Sequence, residues 1–180
     1  MNMNSFVWEV LDRDKHDVQG FSSGYEEFDE YLRRDAVLDQ AGGLSQTRVL
    51  CKGRVVVAYY SSKCSKLEIN ETERMKIGSK DQSVPAVEIP MLAVDHRFQR
   101  NRVGTEVLTE IILRTVYLSQ FLGCRYLFLR AVKADWLIQW YRKFEFVPIQ
   151  FEVVDEYTQP MSFKLPTVRE LSQEEFEDLF

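Results

Sequence analysis

Leu92-Ala93-Val94-Asp95-His96-Arg97-Phe98-Gln99-Arg100-Asn101-Arg102-Val103-Gly104 is the stretch that decides the fold of this chain. An apolar strand end, Met91 to Val94, runs into a short basic loop. The loop opens into a long amphipathic helix that starts near Asn101. A strand, a tight loop and a helix N-terminus make an anion site, because free N–H groups point outward and the helix dipole favours negative charge. Arg97, Arg100 and Arg102 add positive charge, and the two nearest the helix start are the better contacts. The principal donors expected are the backbone N–H groups of Arg100, Asn101, Arg102, Val103, Gly104 and Thr105. The segment suggests a phosphate-bearing ligand.

Working outward, the flanks read as an α/β chain. Val87 to Val94 is the strand feeding the loop, and Arg102 to Phe121 is the helix, with Val103, Val107, Ile111 and Leu118 expected to be buried. Gly123 ends it, and Tyr126 to Val132 reads as a buried strand. Asp135 is expected to N-cap a helix that runs through Phe144. Phe146 to Val154 and Met161 to Leu165 complete the sheet. Upstream, Ser5 to Leu11 alternates like a first strand, and Ser23-Gly24-Tyr25-Glu26 reads as a capping box. The helix it opens reaches about Gln40, with Phe28, Tyr31 and Leu32 on one face. Thr47 to Cys51 and Val55 to Lys63 form a hairpin across Lys52-Gly53. Asn70 to Val84 is polar, carries Gly78, and reads as a loop or mobile lid. The order is β, α, ββ, β, α, β, α, ββ, which implies a mixed sheet with flanking helices.

Bulk properties bound the function. The 180 residues, 45% hydrophobic and 28% charged, suit one domain over 1–169 followed by an acidic tail over 170–180. The tail carries Phe176, Leu179 and Phe180 at helical spacing. No apolar run suits a membrane span, and the start has no secretion signal. Cys51, Cys64 and Cys124 lack metal-ligand spacing and read as reduced thiols, so a cytoplasmic chain without a metal site is expected. Net charge is −5, and the tail alone supplies five acids; the other 23 acids equal the 23 bases. A neutral body argues against a nucleic-acid partner, though not against a local basic patch.

The loop motif Gln99-x-x-Arg102-x-Gly104 resembles the Q/R-x-x-G-x-G/A signature of the GCN5-related N-acetyltransferase (GNAT) family. Arg102 stands where the first glycine is usual, so a Cβ sits where the backbone must approach closely. Ala134-Asp135-Trp136-Leu137-Ile138-Gln139-Trp140-Tyr141-Arg142-Lys143-Phe144-Glu145-Phe146 resembles the same family's N-x-x-A-x-x-F/L-Y-x-x-x-G-F element. Trp140-Tyr141 falls on the aromatic-Tyr pair, Ala134 replaces Asn and Glu145 replaces Gly. The resemblance implies a single GNAT-like α/β domain with a splayed central strand pair that admits coenzyme A. It implies acetyl-CoA as co-substrate and direct transfer to a primary amine on a small molecule, peptide or protein. Leu92, Ala93 and Val94 would flank the pantetheine, with Leu92 and Val94 pairing with it through the backbone, and Gln99 to Thr105 the pyrophosphate.

Acyl transfer to an amine needs a base for the amine and an acid for the leaving thiolate. The resemblance puts Tyr141 in the acid role; as bare sequence it is also a core tyrosine, i,i+4 from Leu137. Trp136, Trp140 and Phe144 form a second stripe assigned to the core. Glu88, five residues before Ala93, is the candidate base, at the spacing where the histone-acetylating branch carries a glutamate. As bare sequence it is an edge or surface glutamate, and Pro90 favours a bulge or an edge there. His96 reads as a solvated loop histidine.

His16-Asp17-Val18-Gln19-Gly20-Phe21-Ser22-Ser23-Gly24, then Phe28-Asp29-Glu30-Tyr31-Leu32, resembles the entry of acetyltransferase toxins. Ala58-Tyr59-Tyr60-Ser61 resembles their following G-Y-Y-S/T strand, and Ser162-Phe163-Lys164-Leu165-Pro166 resembles their chain end. Those enzymes acetylate the amino acid on charged tRNA. The main expectation is a general N-acetyltransferase, possible as a homodimer. The alternatives are a toxin acting on aminoacyl-tRNA and a coenzyme A-binding module without catalysis.

Overall fold

The computed structural model describes residues 6–149 and 156–166. Among these residues seven strands form one mixed sheet in the order β1-β2-β3-β4-β5-β7-β6. They are β1 (Val7–Val10), β2 (Gln46–Lys52), β3 (Val55–Glu68), β4 (Ser83–Val94), β5 (Tyr126–Val132), β6 (Val147–Pro148) and β7 (Thr158–Lys164). The helices are α1 (Glu26–Glu30), α2 (Ala36–Ala41), α3 (Glu71–Ile77), α4 (Val103–Ser119) and α5 (Asp135–Arg142). Among the described residues no helix is long and apolar enough to cross a membrane.

The chain divides into two compact units, 1–63 with 89–111, and 64–88 with 112–180. In the first, β2 pairs antiparallel with β1 and with β3, with a register shift between Leu50 and Cys51. One sheet face buries Val49 and Tyr59 against Phe21, Tyr31, Leu32 and Ala36. Tyr31 stacks on Tyr59 at 6.4 Å, and the Tyr59 hydroxyl donates to the Phe28 carbonyl at 2.7 Å. Cys51 sits in this core, where burial pushes its thiol up to about 12, so it stays protonated and inert.

The helix over 26–41 holds a π-helical segment, Tyr31–Asp35, between α1 and α2. Such a segment widens the helix, and the Ala36 N–H reaches back to the Tyr31 carbonyl. Arg13 donates from Nη2 to the Arg33 and Arg34 carbonyls at 2.6 and 2.9 Å, satisfying acceptors along this segment. The expected capping box at Ser23 does not form. Tyr25 is the N-cap without a side-chain bond, and Ser23 gives both its N–H and its hydroxyl to Asp29 Oδ1 at 2.7 Å.

In the second unit, β5 pairs antiparallel with β7 over its full length, and β7 with β6. Leu67, Val84, Ala86, Phe128 and Ile149 form one buried cluster in it. The stretch expected as a loop or lid holds α3: Asn70 caps it by accepting the Glu73 N–H at 2.8 Å, and Gly78 closes it at φ 66°. Glu73 then accepts from Arg125 at 2.7 Å and from the Tyr126 hydroxyl at 2.9 Å, pinning α3. β4 begins at Ser83, earlier than expected, and runs unbroken through Pro85 and Pro90. Leu118 is 45% exposed and Trp136 69%, so neither joins the core: each lies on an open face of its helix. Ala134, not Asp135, is the N-cap of α5. The acidic tail lies outside the described residues.

Candidate active site

In the first unit, β4 delivers Leu92, Ala93 and Val94 to a loop organised by one carboxylate. Asp95 has a fully buried side chain. It accepts Arg97 Nε and Nη2, each at 2.8 Å, together with the Arg97 N–H at 2.9 Å and the Ser22 N–H at 3.2 Å. Burial alone would raise this carboxyl, yet the Arg97 guanidinium and the two N–H donors hold it below the usual carboxylate range. Arg97 also donates to the Gly20 carbonyl at 3.1 Å. Its charge is therefore spent on structure, and the basic side chains left to the loop are Arg100 and Arg102. His96 is outside the chemistry too: its N–H donates to the Ser22 carbonyl at 2.8 Å, and the ring packs against that oxygen.

Gln99 fixes the loop from within. Its Nε2 donates to the Ser23 carbonyl at 2.8 Å and to the Val94 carbonyl at 2.9 Å. The segment from Gly20 to Ser23 is thus bonded to Asp95, His96, Arg97 and Gln99, and the reading of the sequence missed it. The signal was present as a polar run, Ser22-Ser23, facing no obvious partner in sequence. Asn101 closes the loop through Nδ2 to the Gln99 carbonyl at 3.0 Å.

The loop ends in the conformation expected of an anion cradle. Arg100 and Arg102 are left-handed, with φ of 61° and 63°. The first intrahelical bond of α4 runs from the Glu106 N–H to the Arg102 carbonyl at 3.2 Å. Arg102 is therefore the N-cap, and the N–H groups of Arg102, Val103, Gly104 and Thr105 have no acceptor within the helix. Arg102 thus adopts a left-handed conformation that glycine enters without steric cost. Val103 is buried as the anchor of the turn, while Gln99, Arg100, Asn101 and Arg102 are exposed.

In the second unit, α5 holds Tyr141 on its buried face, 5% exposed, with Trp140 at 4.9 Å and Phe146 at 5.7 Å. Its hydroxyl makes no hydrogen bond among the described residues. Burial pushes the phenol well above its ordinary value, so it stays protonated at neutral pH and can serve as a hydrogen-bond donor. The turn after α5 is closed by the Phe146 N–H on the Tyr141 carbonyl at 3.3 Å, with Glu145 left-handed at φ 64°. Glu88 is half-buried on β4 between Val87 and Ile89.

No family model matches the chain. It is 32% identical over 120 residues to a tRNA-acetylating toxin of Mycobacterium tuberculosis, spanning 66% of this chain and 72% of that protein. Among solved structures, AtaT complexed with acetyl-methionyl-tRNAfMet superposes with a TM-score of 0.75 at 21% identity, over 88% of this chain and 94% of that one. AtaTR bound with acetyl-CoA gives 0.73 at 22% identity, over 89% and 94%. These two likenesses establish the fold, and the sequence match establishes the kinship. The chain belongs to the GNAT family of N-acetyltransferases, in its acetyltransferase-toxin branch.

Proposed function

We propose that this protein acetylates the amino group of an aminoacyl-tRNA, and so acts as a translation-blocking toxin. As a GNAT enzyme it is an N-acetyltransferase with acetyl-CoA as co-substrate. The finer reading rests on the sequence match to a tRNA-acetylating toxin. It replaces a general amine acceptor as the main reading, and it brings with it a neutralising antitoxin-type partner protein.

Acetyl-CoA supplies the acetyl group as an activated thioester. The N–H groups of Arg102, Val103, Gly104 and Thr105 hold its pyrophosphate, helped by Arg100, while the backbone of Leu92 and Val94 pairs with the pantetheine arm. The Val94 carbonyl already accepts from Gln99, so this pairing shares that oxygen. Glu88 takes the proton from the acceptor amine, whose pKa lies near ~8 for an α-amino group. Tyr141 donates a hydrogen bond to the departing thiolate, whose pKa is near ~8.5. Because its own phenol is raised, the hydroxyl stabilises that charge by hydrogen bonding more than by outright proton loss. Expression of wild type and Tyr141→Phe in a bacterial host tests the reading. Growth arrest by wild type alone supports it, and a harmless wild type counts against it.

A further inference from the structure

The first unit carries a cleft of about 500 Å³ whose walls include Arg13, Arg33, Arg54, Asp17, Gln19 and the buried His16. That volume lies within the range of ligand sites. Its charges are unequally compensated. Arg33 is met by Glu26 at 3.1 Å and Glu30 at 3.4 Å. His16 is committed: Nδ1 accepts the Asp12 N–H at 3.0 Å and Nε2 contacts Glu9 at 2.7 Å. The Asp17 carboxylate folds onto its own turn, accepting the Gly20 N–H at 3.0 Å. A Cβ on residue 20 would lie 2.8 Å from Asp17 Oδ2, so Gly20 is what permits that fold-back. Two guanidiniums remain. Arg13 uses only Nη2, and only on neutral carbonyls. Arg54 makes no side-chain hydrogen bond or ion pair among the described residues. Two exposed guanidiniums and an amide, with the one carboxylate turned aside, suit phosphate oxygens in charge and in donor chemistry.

The cleft also shares a segment with the cofactor loop. Asp17, Val18 and Gln19 line it, and the following residues, Gly20 to Ser23, are those bonded to Asp95, Arg97 and Gln99. We propose that this cleft holds backbone phosphates of the RNA that carries the acceptor amine. The proposal rests on the aminoacyl-tRNA reading above. It explains how a chain whose body is neutral engages RNA, through one local patch instead of a basic surface.

The test uses the full chain, acetyl-CoA and unfractionated aminoacylated tRNA, with Arg54→Gln and Arg13→Gln/Arg54→Gln. We expect KM for aminoacyl-tRNA to rise about tenfold in the double variant, and the log-log salt slope of tRNA binding to fall by about one unit per arginine removed. KM for acetyl-CoA and kcat should stay unchanged. Arg54→Gln removes no side-chain hydrogen bond or ion pair among the described residues, and an unchanged urea midpoint separates its effect from a folding effect. Wild-type acetylation of aminoacyl-tRNA with unaltered KM and slope in both variants overturns the cleft and leaves the function standing. Equal rises in both KM values overturn it as well. Wild type that acetylates no aminoacyl-tRNA overturns the functional reading and the cleft's occupant together.

Discussion

Arg102 and Glu145 share one backbone conformation: φ is 63° at the first and 64° at the second. Arg102 caps the start of α4, and Glu145 closes the turn after α5. These are the two glycine positions of the family pattern that this chain fills with other residues. Both positions are left-handed and carry a Cβ, at a cost of about 1–2 kcal/mol apiece. Departure from the motif therefore marks strain at both positions.

Arg102→Gly and Glu145→Gly should each raise stability, because relief of the left-handed Cβ exceeds the entropy that glycine adds to the unfolded chain. The expected net gain is about 0.5–1 kcal/mol per site in urea unfolding. Loss of stability at both positions would contradict the strain account. If Arg102 also contacts phosphate, Arg102→Gly weakens acetyl-CoA binding even as it stabilises the fold.

Asp95→Asn should cost about 3–5 kcal/mol, since it removes the charge that Arg97 is bonded to and unmatches a buried network. The folded Asp95 carboxyl is depressed. Its contribution is thus present above the unfolded value near ~3.9 and lost as pH falls through the folded value. Wild type should lose stability below about pH 4 more steeply than Asp95→Asn does. Glu9 and Glu73 are depressed too, by hydrogen bonds from Lys15 and Arg125, and steepen the acid limb of both proteins. Parallel acid limbs would remove Asp95 from the account.

Tyr141→Phe should cut turnover by about 10²–10⁴-fold while acetyl-CoA affinity and stability stay nearly constant. Stability is spared because the hydroxyl has no partner to lose among the described residues. Isothermal titration beside steady-state kinetics separates the two effects. Normal turnover in this variant would strip Tyr141 of its role.

Glu88→Gln should lower kcat about a hundredfold with little change in acetyl-CoA affinity, as expected of a lost general base. A rate equal to wild type would hand deprotonation to solvent.

The stretch from Leu92 to Gly104 was legible because strand, loop and helix start each leave a local signature. The left-handed turns were foreshadowed by the motif's missing glycines, although only the structure shows that arginine and glutamate adopt them. What stayed hidden depended on distant partners. Asp95 reads as a loop residue until Ser22, 73 positions away in sequence, is seen to donate to it. Ser23 fits a capping box by spacing, but its N–H and hydroxyl both donate to Asp29, and Tyr25 is the N-cap. Asn70 and Gly78 bracket a helix in plain view, yet the polar run between them suppresses apolar periodicity, since α3 buries no residue fully. Leu118 and Trp136 fail for the reverse reason: large apolar side chains on helix faces that the described chain covers only in part.

The most direct test is transfer of labelled acetyl from acetyl-CoA to aminoacyl-tRNA by the purified full chain. We predict acid-precipitable label that base hydrolysis releases as an N-acetyl amino acid, absent with deacylated tRNA and strongly reduced with Tyr141→Phe. Acetyl-CoA turnover on other amines, with none of the label on aminoacyl-tRNA, would contradict the account.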